Sequence, residues 1–199
     1  MSPKTEEQFE KIRQNSAANI KETALELFAK LGYENTSISR IAKEAGISKG
    51  LMYNYFESKK ALLQDIILEA LEVNEKVLED VLATEETPFE QLKKMLTITV
   101  SLVKSNLNHW KLLSALAFQP HILDEFMPII QSKQQHFMEM GIDLFSRLGV
   151  EDPMKESMFF GATLDGMFLH YMSFPEQYPL EEMAVFVLEK YETKQVLNE

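Results

Sequence analysis

Apolar residues recur along this chain at intervals of three and four, the period of one helical face. Ala17, Ile20, Ala24, Leu27, Phe28 and Leu31 form the first stripe and predict a helix over 15–31. Gly32 ends it at the position that favours a left-handed cap. Ile38, Ile41, Ala42 and Ala45 predict a short second helix, with Ser37 as its N-cap and Gly46 as its end. Ser48 caps a third helix over 49–55, where Met52 and Phe56 stand four apart. Ser58 caps a long fourth helix that starts at Lys59 and carries Leu62, Leu63, Ile66, Ile67, Ala70, Leu71, Val77, Leu78 and Val81 on its stripe. Asn74 interrupts that stripe.

The run Thr84-Glu85-Glu86-Thr87-Pro88 breaks the pattern. A fifth helix follows over 88–105, a sixth over 108–118, a turn at 122–126, and a seventh helix over 128–148 that Gly149 ends. Asp152-Pro153 is an N-cap followed by a proline at the first helical position, so an eighth helix runs over 153–172. A ninth covers 180–191, with Glu181 and Glu182 early and Lys190 late, as the helix dipole favours. Alternation of the kind that marks strands does not occur over any length. The expectation is an all-α protein of about nine helices.

Composition narrows the class. The 199 residues are 45% hydrophobic and 26% charged, which supports a folded core. The absence of cysteine excludes disulfides, zinc ribbons and thiol catalysis. No charge-poor apolar run approaches the length of a membrane span, and the first residues hold no apolar signal segment. A cytoplasmic location without a membrane partner is expected. The net charge of −11 argues at first against nucleic acid. It is unevenly spread, however. Residues 1–60 hold ten Lys/Arg and eight Asp/Glu, whereas 61–199 hold ten and 23. Two domains are expected: 1–60 (with 1–12 as a flexible tail) and 61–199.

The stretch from Thr36 to Leu63 carries the chemistry. Two short helices flank Gly46-Ile47-Ser48, a three-residue turn with a glycine, which is the helix-turn-helix arrangement. Burial of Ile41, Ile47, Met52 and Phe56 against Leu27 and Phe28 leaves Lys49, Gly50, Tyr53 and Asn54 on the outer side of the third helix. A lysine suits phosphate or guanine, a glycine permits close approach, a tyrosine hydroxyl suits phosphate, and an asparagine amide can pair with adenine.

The run Ile41-Ala42-Lys43-Glu44-Ala45-Gly46-Ile47-Ser48-Lys49-Gly50-Leu51-Met52-Tyr53-Asn54-Tyr55-Phe56, extended to Thr36 and Leu63, resembles the signature of the tetracycline-repressor (TetR) family of bacterial transcription regulators. Ala24-Leu25-Glu26-Leu27-Phe28-Ala29-Lys30-Leu31-Gly32-Tyr33 is similar to that family's first helix. The resemblance spans about 50 residues; beyond it only helical pattern and length agree. It implies a homodimer whose first three helices bind double-stranded operator DNA, and a C-terminal domain that binds a small effector. By position it implies phosphate contacts at Thr36 and Ser37, base-edge contacts at Lys49, Gly50, Leu51 and Asn54, backbone contacts at Tyr53 and at Tyr55 unless that ring is packed, and a phosphate lysine at Lys59. Glu57 departs from the pattern, standing where proline is common, and puts a carboxylate near the DNA.

The rest of the chain is less specific. Met158, Ala162, Asp165, Leu169 and Met172 share one face of the eighth helix, with Gly161 and Gly166 allowing close approach; Phe186 and Val187 lie on the ninth. Pattern alone fits an intramolecular core as well as a partner surface, and the resemblance favours a dimer interface. Effector-lining candidates are Trp110, Leu113, Phe118 and Phe137, with Met140, Phe160, Thr163 and Met167. Such residues also build ordinary cores. With 11 Met, 13 Phe and Arg147 as the one arginine after Arg40, a mostly apolar ligand is expected. His109, His121, His136 and His170 show no metal-ligand spacing, so a metal would need tertiary assembly. No nucleophile motif and no phosphate-binding glycine loop occurs, so neither catalytic residues nor a cofactor are expected.

The sequence therefore reads as a ligand-responsive DNA-binding regulator, a repressor released from a palindromic operator by its effector. The alternative is an all-α small-molecule-binding or enzymatic protein whose helix-turn-helix is only structural.

Overall fold

The computed structural model describes residues 6–117 and 126–195. Among these, nine helices and no strand form: α1 (Glu6–Leu31), α2 (Ile38–Glu44), α3 (Lys49–Tyr55), α4 (Lys59–Leu82), α5 (Pro88–Ser105), α6 (Leu107–Ala117), α7 (Met127–Arg147), α8 (Pro153–Ser173) and α9 (Leu180–Gln195). The all-α expectation holds. One boundary differs by most of three turns: α1 begins at Glu6 rather than at Asn15, so residues 6–12, expected as a tail, are helical. The reason is propensity. Glu7 to Gln14 is rich in Glu, Lys, Arg and Gln, which favour helix with no apolar stripe to announce it, and Gln14 donates to Glu10 one turn back at 3.4 Å.

The chain divides into two compact units, Met1–Ala70 with Lys111–Phe126, and Leu71–Trp110 with Met127–Glu199. In the first, α1 supplies Ile20, Ala24, Leu25 and Phe28 to a core closed by Ile41, Ala42, Met52, Phe56, Leu62, Leu63 and Ile66. The Lys21 ammonium pairs with Asp65 at 3.5 Å and Glu69 at 2.6 Å, which ties α1 to α4. The expected core membership shifts slightly: Leu25 is fully buried, whereas Leu27 and Ile47 are only partly so.

Polar groups at the helix ends fix the angle between α2 and α3. Ser37 caps α2 by accepting from the Arg40 N–H at 3.2 Å, and Ser48 caps α3 by accepting from the Leu51 N–H at 3.1 Å. Gly46, at φ 72°, turns the chain between them. Its N–H donates to the Lys43 carbonyl, and the Ile47 N–H donates to Ala42 at 2.9 Å, which is a Schellman closure. The Asn19 amide donates to the Ala45 carbonyl at 3.2 Å and moors this turn to α1.

The second unit has one contiguous core. α5 faces it with Phe89, Leu92, Leu96, Val100 and Val103; α7 adds Leu144 and Phe145, with Leu148 just beyond its end; α8 adds Phe160, Met167 and Tyr171; α9 adds Leu180, Ala184, Val187 and Tyr191. Phe145, Phe160 and Tyr191 pack ring to ring with centroids 5.5–5.9 Å apart. The Tyr191 hydroxyl, buried with its ring, donates to Glu156 at 2.7 Å, and burial holds that phenol well above its ordinary pKa. Gln91 is the buried polar residue of this unit. Its amide donates to the Leu82 and Thr84 carbonyls and accepts from Arg147 at 2.9 Å, so each of its functional atoms has a partner.

A Cβ at Gly46 would meet no atom within 4 Å, so the cost of substitution is backbone strain alone. Gly46→Ala is expected to lower the unfolding free energy by about 1–2 kcal/mol, read from the urea midpoint, because an L-residue is held in the left-handed region. Gly50→Ala, in the interior of α3 with equally open space, is expected to leave stability unchanged or raise it by up to about 1 kcal/mol.

Candidate nucleic-acid interface

Burial of Met52 and Phe56 on the inner side of α3 decides what the helix shows outward. Lys49, Gly50, Leu51, Tyr53 and Asn54 are all exposed, and Tyr55 is half-buried. Leu51 and Tyr53 are 41% and 47% exposed, high for large apolar-bodied residues. The outer face therefore offers an ammonium, a phenol, a primary amide and an isobutyl group within two helical turns. Ser37 is exposed as well; its oxygen accepts from Arg40, and its O–H remains a donor.

Two expected contacts stand differently in the structure. Thr36 is fully buried. Its hydroxyl donates toward the Gly32 carbonyl at 2.9 Å and lies 3.3 Å from that of Leu27, and its N–H donates to Tyr33. A side chain so enclosed closes the loop after α1 and cannot reach a phosphate. Lys59 is partly withdrawn. Its ammonium donates to the Tyr33 carbonyl at 2.8 Å and the Glu34 carbonyl at 3.5 Å, and it sits 4.1 Å from the centre of the Tyr33 ring. Lysine at the first turn of α4 thus clips that helix to the α1–α2 loop, with one of its three N–H bonds left over.

Residues missed in the sequence flank this face. Arg40 and Lys43 are exposed on α2. The early turns of α1 and the outer side of α3 border a groove of about 790 Å³ lined by Glu7, Glu10, Ile12 and Arg13 with Leu51, Asn54 and Tyr55. Arg13 brings a cation to this groove, and Glu7 and Glu10 bring carboxylates. The helix-forming composition of 7–14 was the available signal.

Residues 20–66 match the bacterial regulatory proteins of the tetR family. The helix-turn-helix segment is thus similar to that family. This TetR segment is 58% identical over 48 residues to YuxN, an uncharacterized HTH-type transcriptional regulator of Bacillus subtilis, a match that covers 24% of this chain and 16% of that protein. The chain thus spans well under two thirds of that relative's length. Similarity of fold extends much further. NalD, the secondary repressor of the MexAB-OprM multidrug efflux pump in Pseudomonas aeruginosa, superposes with a TM-score of 0.73 at 21% identity, covering 92% of this chain and 97% of that one. FadR of Bacillus subtilis, a transcriptional regulator solved with stearoyl-CoA, gives 0.68 at 23%, covering 87% and 96%. None of the described helices is long and apolar enough to cross a membrane.

Outside the TetR segment, the structure divides the expected effector residues. Phe160 and Met167 are buried in the second unit's core, Phe160 against Phe145 and Tyr191, so they fill space rather than line it. Trp110 packs against that core and donates its indole N–H to Leu102 at 3.2 Å. Phe137, Met140 and Thr163 are half-buried in the second unit; Leu113 is half-buried and belongs to the first. Phe118 lies outside the described residues. Of the expected partner-facing residues, Met158, Ala162, Asp165, Leu169 and Phe186 are exposed and Gly166 is half-buried. Val187 is core, at 5% exposure, because the helical period turns it inward while Val185 and Phe186 turn outward.

The two readings of Thr36 are separable. Thr36→Val is expected to destabilise the fold by about 1–3 kcal/mol in thermal or urea unfolding, since it strips buried carbonyls of their donor. A phosphate-contacting threonine would leave stability unchanged and weaken DNA binding alone.

Proposed function

We propose that this protein is a transcriptional regulator, a repressor, that binds a palindromic operator as a homodimer and is released by a small, mostly apolar effector in the cytoplasm. The observation that carries the reading is the outward set Lys49, Gly50, Leu51, Tyr53 and Asn54 on a capped helix within a TetR-type helix-turn-helix. In the major groove, Asn54 would pair with an adenine edge and Leu51 would meet a thymine methyl. Lys49 would meet a base edge as well, while Tyr53, Ser37 and Arg40 would meet phosphates and set the register. Arg13 is a further cation for the backbone.

One helix of seven residues reads only a few base pairs, so two copies about 34–36 Å apart are needed for a selective site. The surface for a second copy is α8 with α9. Met154, Met158, Phe159, Leu169, Phe174, Val185 and Phe186 are all large, apolar and 46–58% exposed. Added Cβ atoms at Gly161 and Gly166 would meet nothing within 4 Å, which leaves room for a partner helix. Exposed large apolar residues gathered on two helices are characteristic of an interface. For the effector, the half-buried apolar side chains of Phe137 and Met140 suit a ligand with a hydrocarbon part, and FadR's stearoyl-CoA has one. Linkage requires that this ligand favour the conformation that binds DNA poorly.

Selection from a random duplex library, sequenced at two salt concentrations, tests the reading. A palindromic site is expected, with binding falling steeply as salt rises and lost in Asn54→Ala while the fold survives. A folded protein that enriches no sequence at low salt would leave a small-molecule-binding protein with a purely structural helix-turn-helix.

Self-association has its own test. Phe186→Glu is expected to shift sedimentation from dimer to monomer, with helicity retained because the ring is exposed. Asp165 lies among the apolar residues of this face, and desolvation raises its carboxyl above the ordinary aspartate range. A raised value means that the neutral form is favoured in the folded chain. That contribution is full below the unfolded aspartate pKa, about 3.9, and is lost as pH rises through the folded value. At pH 7 the ionised group opposes burial, so Asp165→Asn is expected to tighten the dimer at neutral pH and to flatten its pH dependence.

A further inference from the structure

In the second unit, α4 and α7 bring together donors that lie far apart in sequence. Glu75 and Glu79 are one helical turn apart on α4, and His136 faces them from α7. His136 Nε2 lies 3.7 Å from Glu75 Oε1 and 3.5 Å from Glu79 Oε1. The three donor atoms all lie within 4.8 Å of one another. Lys133, one turn before His136, pairs with the other Glu75 oxygen, Oε2.

These separations are long for hydrogen bonds. A charge-assisted N–H···O contact spans roughly 2.7–2.9 Å. Around a small divalent cation with metal–ligand bonds of about 2.1 Å, the edge of a coordination tetrahedron is about 3.4 Å. The imidazole–carboxylate distances fit that edge. The division of Glu75 fits too: Oε1 faces the imidazole, while Oε2 is held by an ammonium that orients the carboxylate from outside the donor set. Glu75 is the most enclosed donor, at 16% exposed, while Glu79 and His136, at 56% and 44%, leave an approach from solvent.

We propose that Glu75, Glu79 and His136 form a three-ligand site for a divalent transition cation such as Zn²⁺ or Co²⁺, with a fourth position open to water. A nitrogen donor beside two carboxylates selects such a cation over Mg²⁺ and Ca²⁺, which take oxygen ligands alone. Occupancy would join the middle of α4 to α7 by three coordinate bonds.

The test uses the full chain, stripped with chelator and titrated with Co²⁺, whose ligand-field absorption reports coordination directly. One equivalent per chain is expected, displaced by Zn²⁺. Uptake should weaken in acid, because protons compete with the metal for its ligands. His136→Gln should weaken uptake about a hundredfold or more and Glu79→Gln about tenfold or more, with helicity unchanged since both side chains are largely exposed. Absence of a saturable Co²⁺ signal up to millimolar metal overturns the proposal. Undiminished uptake by His136→Gln also overturns it, since the metal would then sit on other histidines.

Discussion

The reading helix has no freedom to choose which side it shows. Met52 is fully buried, Phe56 follows one turn later, and the Schellman closure at Gly46 fixes the angle at which α3 leaves α2. Given those constraints, Lys49, Gly50, Tyr53 and Asn54 must point away. Every functional statement about the first unit descends from this. The polar moorings act on the same geometry: Asn19 holds the turn, Thr36 closes the preceding loop, and Lys59 clips the next helix to it. None of these three needs to touch DNA to matter for binding.

Much of this was legible in the residues. The break at Thr84–Pro88 set the start of α5, and in the structure Thr87 caps that helix with Pro88 in its first turn. The outer set on α3 followed from the same periodicity. What escaped was whatever periodicity does not encode. The first turns of α1 are helical by propensity and have no buried face to announce them. Thr36 reads as a surface residue by type, yet its hydroxyl finds backbone carbonyls within a loop and is enclosed completely.

The second unit shows the other limit. Phe160 and Met167 have the chemistry of a ligand pocket and the placement of a core, and only the three-dimensional neighbourhood of Phe145 and Tyr191 separates the two. Val187 and Phe186 are adjacent and similar in hydrophobicity; 100° of helical rotation puts one in the core and the other in solvent. His136 has neither glutamate partner near it in sequence, since Glu75 and Glu79 come from a helix some 60 residues earlier. Contacts of that range leave no local trace.

Lys59 also bears on how readily the first unit can hold an anion. A lysine free in solvent samples many rotamers, with about 2 kcal/mol of entropy to surrender on capture. The Tyr33 ring and two carbonyls have already confined this one. Its remaining N–H is a stationary positive group, ready before any ligand arrives. Confinement of this kind favours a fixed placement over adaptability, so this corner of the protein keeps its geometry whatever approaches it.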